Sequence, residues 1–505
     1  MATVTRPIRR LLIANRGEIA LRIIRACRDL QIETVAVYSD ADAGARHVRA
    51  ADVAIRLGPA PAGESYLNIA AVIEAARSSG ADAVHPGYGF LSERAAFAES
   101  CTAAGLTFVG PPADAIARMG SKIAARALMI KADVPVVPGR APDDQSDGGI
   151  TAAAVTIGFP VLIKASAGGG GKGMRDARDA GALADAIPAA RREAQAAFGD
   201  GTLYVERLIE RPRHIEVQVF ADAHGHTVHL FERECSVQRR HQKIIEESPS
   251  CALTPALRER MGRAAVAAAE SAGYLNAGTI EFLLEGSGDQ ARFYFLEMNT
   301  RLQVEHPVTE AVTVLDLVRA QLLVAMGHAL PWRQQDLTQR GHAIECRIYA
   351  EDPASGFLPQ AGPLRLYREP SGPGIRVDSG VEEGTEVPVH YDPMLAKLIA
   401  WAETREAAIA RAASGLRAFP ILGVRTNVAF LLRTIEHPAF RAGDLHTGFV
   451  DDHLPDLLMT SPVAEDVHAA AAFARTAGPP RAAGWTGGPT ASAADPWSQL
   501  TDWGR

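Results

Sequence analysis

Five polar side chains recur at every second position of EMNTRLQVEHPVTE, the segment from residue 297 to residue 310. They are Glu297, Asn299, Arg301, Gln303 and Glu305. Successive side chains of an extended chain point to opposite faces, so this spacing predicts that all five line one side of a strand. A solvated edge strand would show the same alternation. Carboxylates, amides and a guanidinium are also the groups that hold a metal ion beside an anion.

A second carboxylate is expected next to this segment. AGTIEFLLE and ARFYFLEMN are predicted to form an antiparallel hairpin around EGSGDQ, which brings Glu281 close to Glu297. Two buried like charges at close range repel unless a cation lies between them. Glu281, Glu297 and Asn299 offer only hard oxygen ligands, which suit Mg²⁺ or Mn²⁺. Beside them, Arg301 matches a small planar oxyanion and Glu305 is a candidate general base.

A glycine-rich segment, KASAGGGGKGM, is predicted to lie directly between a buried strand and a helix. The backbone N–H groups of such a loop wrap around phosphates, and Lys164 and Lys172 would supply positive charge. The P-loop pattern GxxxxGK[ST] is not matched, because Gly173 follows Lys172. A flexible linker is the alternative interpretation of any glycine run. The position between strand and helix favours phosphate binding.

Lysine occurs at only six positions, whereas arginine is abundant. A lysine in such a chain indicates a place where a compact point charge is needed. The six are Lys122, Lys131, Lys164, Lys172, Lys243 and Lys397. A metal site, a phosphate loop and a base beside an oxyanion site together predict phosphoryl transfer to a small acid, through an acylphosphate.

The composition argues against several classes of protein. A chain of 505 residues with 47% apolar and 22% charged content is expected to fold into several packed domains. The net charge of -7 gives no reason to expect nucleic acid binding. No segment has the length and apolarity of a membrane span, and no signal-peptide core follows the N-terminus. Five scattered cysteines without CxxC spacing predict reduced thiols and a cytoplasmic location.

The predicted elements change in kind along the chain. Residues 8–115 alternate apolar strands with helical patterns, which predicts a doubly wound parallel sheet. From residue 213 strands dominate, and HIEVQVFAD and TVHLFEREC are predicted to form a hairpin around AHGH. Thr254 and Pro255 are predicted to begin a helix that Gly273 ends. The fold class is therefore α/β followed by α+β, with a linker or disordered tail after about residue 460.

Seven motifs follow one another in this chain: ANRGEIA, HPGYGFLSE, KASAGGGGKGM, ERECSVQRRHQK, TIEF, EMNTRLQVEHPVTE and CRIYAEDP. As an ordered set they resemble the biotin carboxylases, which belong to the ATP-grasp enzymes, over residues 8–455. The resemblance implies an ATP-grasp fold with four parts. These are an N-terminal Rossmann-like domain over residues 1–115, an ATP-grasp domain over 116–340 with a mobile lid over 137–208, an antiparallel-sheet C-terminal domain over 341–455, and a tail or linker over 456–505.

The resemblance also implies roles for individual residues. ATP would be contacted by Lys122, Lys164, Glu206, Leu208, His214, Gln238, His241 and Leu283, with Gly168, Gly169, Gly170, Gly171 and Lys172 in the phosphate lid. Magnesium or manganese would be bound by Glu281, Glu297 and Asn299. Bicarbonate would be held by Lys243, Arg301, Gln303 and the Val304 backbone. Glu305 would be the base, and Arg347 would stabilise the enolate of biotin.

The implied reaction is the first half-reaction of an acyl-CoA carboxylase. Bicarbonate would attack the γ-phosphate of ATP, and the resulting carboxyphosphate would decompose to CO₂ and phosphate. The phosphate would then remove the proton from the ureido nitrogen of biotin. No Ala-Met-Lys-Met biotinylation motif is present. Biotin is therefore expected on a carrier protein or domain, with a carboxyltransferase as a further partner, and the resemblance implies a homodimer.

Two alternatives remain open at this point. Another ATP-grasp ligase would join a carboxylate to an amine through an acylphosphate. The set that distinguishes the two enzymes is sized for bicarbonate and a ureido ring, and consists of Lys243, Arg301, Glu305 and Arg347. A nucleotide-sensing or scaffold module inside a carboxylase complex is the non-enzymatic alternative, and the intact set of base and metal ligands disfavours it.

Overall fold

The N-terminal part of the chain is a parallel sheet flanked by helices, as predicted. The structure is a computed structural model that describes residues 5–166 and 173–459. Its first elements are β1 (Arg10–Ile13), α1 (Gly17–Asp29), β2 (Glu33–Ser39), α2 (Arg46–Ala50), β3 (Val53–Gly58), α3 (Ile69–Ser79), β4 (Ala83–His85), α4 (Ala95–Ala103), β5 (Thr107–Phe108) and α5 (Ala113–Gly120). The strands pair in the order β3-β2-β1-β4-β5, all parallel. The edge strand β3 alternates partly buried and exposed side chains.

A small four-stranded sheet follows, with a core of its own. Its segment contains α6 (Lys122–Lys131), β6 (Gly139–Arg140), α7 (Asp147–Ile157), β7 (Val161–Ala165), β8 (Arg175–Ala177), α8 (Leu183–Phe198) and β9 (Leu203–Arg207). The strands pair antiparallel in the order β6-β9-β7-β8. Aliphatic side chains of α7 and α8, among them Ile150 and Ile187, pack on these strands against residues such as Val161 of β7.

The predicted direct passage from the glycine run to a helix is wrong. The short strand β8 comes after the run and pairs with β7, so that Arg175 lies opposite Ile163. The helix α8 begins only at Leu183. A helix N-terminus therefore does not directly follow the glycines, and phosphate binding by this loop would depend on its backbone N–H groups and lysines.

The remaining elements build a large antiparallel sheet. The first set is β10 (Arg213–Ala221), β11 (Thr227–Arg239), β12 (Gln242–Ser248), α9 (Pro255–Ser271), β13 (Asn276–Glu285), β14 (Arg292–Asn299), α10 (His306–Thr313), α11 (Leu317–Ala325) and β15 (His342–Tyr349). The second set is β16 (Glu351–Asp352), β17 (Leu358–Pro359), β18 (Gly362–Pro363), β19 (Leu366–Tyr367), β20 (Ile375–Ser379), β21 (Glu386–Val387), β22 (Met394–Ala402), α12 (Arg405–Arg417), β23 (Ile421–Leu422), α13 (Val428–Glu436), α14 (Pro438–Ala442) and α15 (Phe449–Leu458).

Eight of these strands form one sheet in the order β14-β13-β10-β11-β12-β15-β22-β20. Both predicted hairpins are confirmed, β10 with β11 and β13 with β14. The predicted helix start is also confirmed, since the Thr254 side chain accepts a hydrogen bond from the Leu257 N–H at 3.2 Å and Pro255 opens α9. The domain boundary predicted at residue 341 lies between strands of this one sheet and stays a prediction.

Two predictions from composition concern the whole chain. All five cysteines lie in the described part, and none of them forms a disulfide. Among the described residues, no helix combines the length and apolarity that a membrane crossing requires. The predicted tail lies outside the described residues.

Candidate active site

A cavity of about 400 Å³ lies against the large sheet and brings most of the predicted site residues together. These residues are Lys122, Lys164, Glu206, His214, Gln238, His241, Lys243, Glu281, Glu297, Asn299, Arg301, Gln303, Val304, Glu305 and Arg347. Leu208 and Leu283 are not among the residues that line it, and their ATP contacts stay predictions. Gly168, Gly169, Gly170, Gly171 and Lys172 lie outside the described residues.

Three glutamates stand side by side on three neighbouring strands. Glu281 on β13 is paired with Glu216 on β10 and with Glu297 on β14. The predicted register between Glu281 and Glu297 is therefore confirmed. Paired residues of antiparallel strands project from the same face, so the three carboxylates form one row, in which Glu281 and Glu297 line the cavity and Glu216 is buried beside them. Such a row is unfavourable unless cations compensate it.

Lys243 compensates three buried carboxylates at once. Its Nζ donates to Oε1 of Glu281 at 2.7 Å and to Oε1 of Glu305 at 2.7 Å, and it also donates to Glu216. Burial opposes its charge, but the three carboxylates raise the pKa of Lys243 well above the ordinary value. An ammonium has three N–H donors, and each is used here. An anion that binds Lys243 must therefore displace one of these carboxylates.

The carboxylate of Glu305 accepts hydrogen bonds from two cationic side chains. Oε1 accepts from Lys243, and Oε2 accepts from Nη2 of Arg347 at 3.0 Å. Burial would favour the neutral acid, but Lys243 and Arg347 hold the pKa of Glu305 well below its usual range. The other side of the Arg347 fork donates to Glu246, with Nε and Oε1 2.6 Å apart. Burial raises the pKa of Glu246 to about 7 despite this contact.

The prediction of one extended segment from Glu297 to Glu305 is wrong beyond Asn299. The strand β14 ends at Asn299, and the chain then bends and turns before α10 begins at His306. Pro307 lies in the first turn of α10, where its fixed φ suits a helix start. The alternating side chains still reach one cavity, but a turn brings Glu305 there rather than a strand.

Arg301 and Gln303 reach the carboxylates from this turn. Nε of Arg301 donates to Oε2 of Glu93 at 2.9 Å, and its Nη2 donates to Oδ1 of Asn299 at 2.9 Å. Nε2 of Gln303 donates to Oε1 of Glu281 at 3.0 Å. Both side chains are therefore positioned by polar groups of the cavity wall.

Arg233 supports the cavity from inside the sheet, and its side chain is fully buried. The guanidinium donates to five side chains, with N···O distances of 2.7 to 3.0 Å for four of them: Glu216, Gln218, Thr279, Gln303 and Thr309. A planar fork with five donors suits such a task. It fixes Glu216 and Gln303, which in turn contact Lys243 and Glu281.

The opposite end of the cavity lies against the small sheet. Lys164 on β7 forms an ion pair with Glu206 on β9, and both side chains are buried. Lys122, at the start of α6, lines the same end. Burial, and then the neighbouring Lys164, lower the pKa of Lys122. An anionic ligand at this end of the cavity would therefore stabilise the charge of Lys122.

His214 and Gln238 connect the two ends. Nε2 of Gln238 lies 3.1 Å from Nδ1 of His214, and Nε2 of His214 lies 3.2 Å from Oε2 of Glu281. A histidine ring whose Nδ1 accepts from an amide carries its proton on Nε2. The ring therefore directs an N–H toward the row of carboxylates.

A second cavity of about 470 Å³ shares part of its wall with the first. The shared residues are Arg301, Val304, Arg347, Tyr349 and Asp392. Its other walls include aromatic side chains from the N-terminal part and from the segment before β22, namely Tyr88, Phe90, His390 and Tyr391. Arg347 therefore lies where a polar cavity meets an aromatic one, and Glu305, which it contacts, lines the polar cavity.

The Glu281 and Glu297 pair fits a divalent metal. Burial, and then the neighbouring Glu281, raise the pKa of Glu297, as expected for an acid without sufficient counter-charge. Two hard carboxylates suit Mg²⁺ or Mn²⁺. Asn299 is oriented differently, since its Nδ2 donates to Glu281 at 2.8 Å and its Oδ1 faces Arg301. The two glutamates are thus better prepared than Asn299 to hold the ion.

Sequence reasoning missed several residues of this site: Tyr88, Glu93, Glu216, Arg233 and Glu246. A signal existed for Glu216, which shares a strand face with His214 in HIEVQVF. A charged residue inside an apolar strand, as in TVHLFEREC, was the signal for Arg233. Tyr88 and Glu93 belong to the motif HPGYGFLSE, whereas no local pattern marks Glu246, whose partner Arg347 is distant in sequence.

Comparisons with known proteins identify the family. Three family models match: the N-terminal domain of biotin carboxylase over residues 7–116, the ATP binding domain of the carbamoyl-phosphate synthase L chain over 121–333, and the biotin carboxylase C-terminal domain over 345–452. The protein of Halalkalibacterium halodurans named biotin carboxylase is 50% identical over 446 residues, which are 88% of this chain and 98% of the relative. The chain belongs to the biotin carboxylase family.

Longer relatives and solved structures agree with this assignment. The mitochondrial methylcrotonoyl-CoA carboxylase subunit alpha of Oryza sativa is 53% identical over 455 residues, but the match covers 90% of this chain and 62% of the relative. The biotin carboxylase domain dimer of the Hydrogenobacter thermophilus 2-oxoglutarate carboxylase, in complex with MgADP, ADP and bicarbonate, has a TM-score of 0.86 and 43% identity, covering 90% of this chain and all of that one. Campylobacter jejuni biotin carboxylase has a TM-score of 0.85 and 44% identity, covering 88% and 99%.

The predicted family, enzyme class and fold class are thereby confirmed. Biotin carboxylases are ATP-dependent ligases of the ATP-grasp type. The family assignment decides between the alternatives that the sequence left open, in favour of a biotin carboxylase over another ligase or a scaffold module.

Proposed function

We propose that this chain carboxylates biotin with ATP and bicarbonate, as the first half-reaction of an acyl-CoA carboxylase. The observation that carries the proposal is the position of Glu305. Its carboxylate lies in the polar cavity between Lys243 and Arg347, and Arg347 lines both the polar cavity and the aromatic one. A base in this position serves a small anion in the polar cavity, next to an arginine that reaches a ring in the aromatic one.

The polar cavity takes ATP and bicarbonate. Lys122, Lys164, His214, Gln238 and His241 contact the nucleotide together with Glu206, Leu208 and Leu283, and the segment of Gly168, Gly169, Gly170, Gly171 and Lys172 covers its phosphates. Bicarbonate binds Lys243, Arg301, Gln303 and the Val304 backbone. Magnesium or manganese, held by Glu281 and Glu297 with Asn299 beside them, would neutralise part of the phosphate charge.

Glu305 removes the proton of bicarbonate when that anion has reached Lys243. While Lys243 and Arg347 both contact its carboxylate, the low pKa of Glu305 makes it a weak base. An anion that takes up part of the charge of Lys243 and Arg301 raises the pKa of Glu305 and strengthens it. The bicarbonate oxygen then attacks the γ-phosphorus, and the bond from phosphorus to the oxygen of ADP breaks. Carboxyphosphate and ADP are the products of this step.

Biotin enters from the aromatic cavity. Carboxyphosphate decomposes to CO₂ and phosphate, and the phosphate takes the ureido N–H proton of biotin. Arg347 stabilises the negative charge on the ureido oxygen, because its guanidinium is planar and held by Glu246. The ureido nitrogen then attacks CO₂. Excluding water protects the labile intermediate, which is the role of a lid over residues 137–208.

The proposal extends to the assembly. Biotin is delivered by a carrier protein or domain, and a carboxyltransferase takes the carboxyl group onward. The alpha subunits of methylcrotonoyl-CoA carboxylase that match this chain belong to such carboxylases by name. A homodimer is supported by the dimer of the Hydrogenobacter domain. The domains correspond to residues 1–115, 116–340 and 341–455, and the free thiols suit a cytoplasmic location.

Phosphate release from MgATP tests the reaction directly. We expect release that depends on bicarbonate and increases when free biotin is added. Radioactive bicarbonate should appear in carboxybiotin under the same conditions. ATP hydrolysis that does not depend on bicarbonate would contradict the proposed function.

A further inference from the structure

Lys397 is a buried lysine to which the proposed reaction assigns no role. It lies on β22, and its side chain is fully buried. Lysine is almost never fully buried unless its ammonium is paired, because burying an isolated charge is costly. Only six lysines occur in the chain, so one that is inaccessible to solvent calls for a specific partner.

The partner is the backbone of the residue before the base. Nζ of Lys397 donates to the carbonyl oxygen of Val304 at 2.6 Å. That oxygen belongs to the peptide unit that joins Val304 to Glu305. Because the peptide unit is planar, fixing its oxygen also fixes the N–H and Cα of Glu305. The ammonium therefore holds the turn from which the Glu305 side chain projects.

The cross-strand neighbour of Lys397 holds the same turn from another side. Lys397 on β22 is paired with Arg347 on β15, and paired residues project from the same face. Arg347 contacts the carboxylate of Glu305 at 3.0 Å, and Lys397 contacts the preceding carbonyl. One cation thus orients the side chain of the base and its neighbour orients the backbone.

Acidic groups keep Lys397 charged in its buried position. Oε1 of Glu18, on α1, lies 3.3 Å from its Nζ. Burial opposes the charge of Lys397, but Glu18, then Glu345 and Asp378, raise its pKa above the ordinary value. The ammonium therefore keeps three donors, and its bond to Val304 is a charge-assisted one.

We propose that Lys397 is a positioning residue for biotin carboxylation, which acts by holding the Val304 carbonyl so that Glu305 meets bicarbonate in the correct geometry. This inference rests on the function proposed above. Lys397 itself lines neither of the two cavities. Its loss should therefore affect the step that needs Glu305 and leave nucleotide binding intact.

Lys397→Met removes the ammonium and keeps the length of the side chain. We expect kcat/KM for bicarbonate to fall by about 10- to 100-fold, because a misplacement of about 1 Å can cost that much. The KM for ATP and the affinity for MgADP, measured by calorimetry, should stay within about threefold of the wild type. An unchanged kcat/KM for bicarbonate would overturn the inference. A parallel loss of nucleotide affinity would also overturn it, since it indicates a general structural defect.

A double variant separates positioning from simple charge compensation. Glu18→Gln in the Lys397→Met background removes the acid that the first change leaves without its cation. We expect this second change to recover thermal stability, relative to Lys397→Met and to Glu18→Gln alone, while the bicarbonate defect remains. If bicarbonate kinetics recover together with stability, Lys397 only neutralises Glu18 and the inference is wrong. The double variant also carries the test if Lys397→Met does not fold alone.

The failure of this inference differs from the failure of the proposed function. Wild-type protein that hydrolyses ATP without any dependence on bicarbonate contradicts the function itself. Wild-type protein with bicarbonate-dependent hydrolysis, alongside a Lys397→Met variant with normal bicarbonate kinetics, contradicts only the role of Lys397.

Discussion

The two ends of the polar cavity are held in different ways. At the Glu305 end, the side chains belong to the eight-stranded sheet or to the turn after it, and most of them contact more than one charged partner. Lys243 alone contacts three carboxylates. At the Lys164 end, a four-stranded sheet with its own core carries an ion pair between Lys164 and Glu206.

This difference separates two tasks. Groups that transfer a proton need tight positioning, and shared hydrogen bonds in a large sheet provide it. Groups that contact the nucleotide sit on a smaller unit, where a change affects fewer partners. Substitutions at the Glu305 end should therefore lower the rate of the chemical step, and substitutions at the Lys164 end should weaken ATP binding.

Glu305→Gln should have the largest effect. The amide keeps the size of the side chain but does not accept the proton of bicarbonate. Loss of a general base typically lowers the rate by about 10²- to 10⁴-fold. Bicarbonate-dependent phosphate release should fall by that factor, while MgADP binding, measured by calorimetry, persists.

Glu382→Gln serves as the matched control for this prediction. Glu382 is a half-buried glutamate that pairs with Arg49 and lines neither of the two cavities. Its variant should release phosphate at close to the wild-type rate. If Glu305→Gln also turned over at a near-normal rate, the assignment of the base would be wrong.

Arg347→Lys should have the next largest effect. The guanidinium of Arg347 contacts both Glu246 and Glu305. A lysine keeps the positive charge but has a single ammonium group in place of this planar fork. We expect carboxybiotin formation to fall by about 10²-fold, the cost of misplacing a reacting group by about 1 Å. Arg425→Lys, at an exposed arginine that pairs with Asp352, is the control. Carboxylation within about twofold of wild type would exclude a role for the guanidinium shape.

Lys164→Met tests the other end of the cavity. Removing this charge should raise the KM for ATP by about tenfold, which corresponds to about 1.4 kcal/mol of binding. The rate at saturating ATP should change much less. Lys131→Met, at the exposed end of α6, is the control and should leave both constants unchanged. A lower kcat with an unchanged KM would remove the distinction between the two ends.

The sequence predicts much of this site because local patterns determine it. Alternation on two strands and the short EGSGDQ connection together give the register that pairs Glu281 with Glu297. The cap at Thr254 and Pro255 is equally local. In contrast, the extended interpretation of EMNTRLQVEHPVTE fails after Asn299, since polar alternation has the same appearance in a strand and in a turn that leads into a helix.

The long-range hydrogen bonds that hold the site in place could not be predicted from local sequence patterns. Arg233 donates to side chains on β10, β13 and α10 and to Gln303, a set that only the tertiary fold brings together. Glu246 and Arg347 are 101 residues apart in the chain. A charged residue in an apolar strand indicates that a buried partner exists, but its identity depends on strand order.

Glu246→Gln should have the smallest effect on the rate of the reaction, and its effect should appear in the stability of the protein instead. The pKa of Glu246 rises from 4.5 to about 7 in the folded protein, mainly because the carboxyl is buried. Between these values the folded state binds more protons than the unfolded state, so stability decreases as pH rises through this range. Glutamine does not titrate and still accepts from Arg347.

Chemical denaturation of both proteins between pH 5 and pH 8 measures this difference. The wild type should lose stability relative to Glu246→Gln as pH rises, by up to about 3 kcal/mol. Most of the loss should lie below about pH 7, where the buried carboxyl ionises. Parallel stability curves would mean that Arg347 keeps Glu246 ionised at every pH in this range. The cationic side chains would then balance the buried carboxylates at the Glu305 end of the cavity more fully than their burial implies.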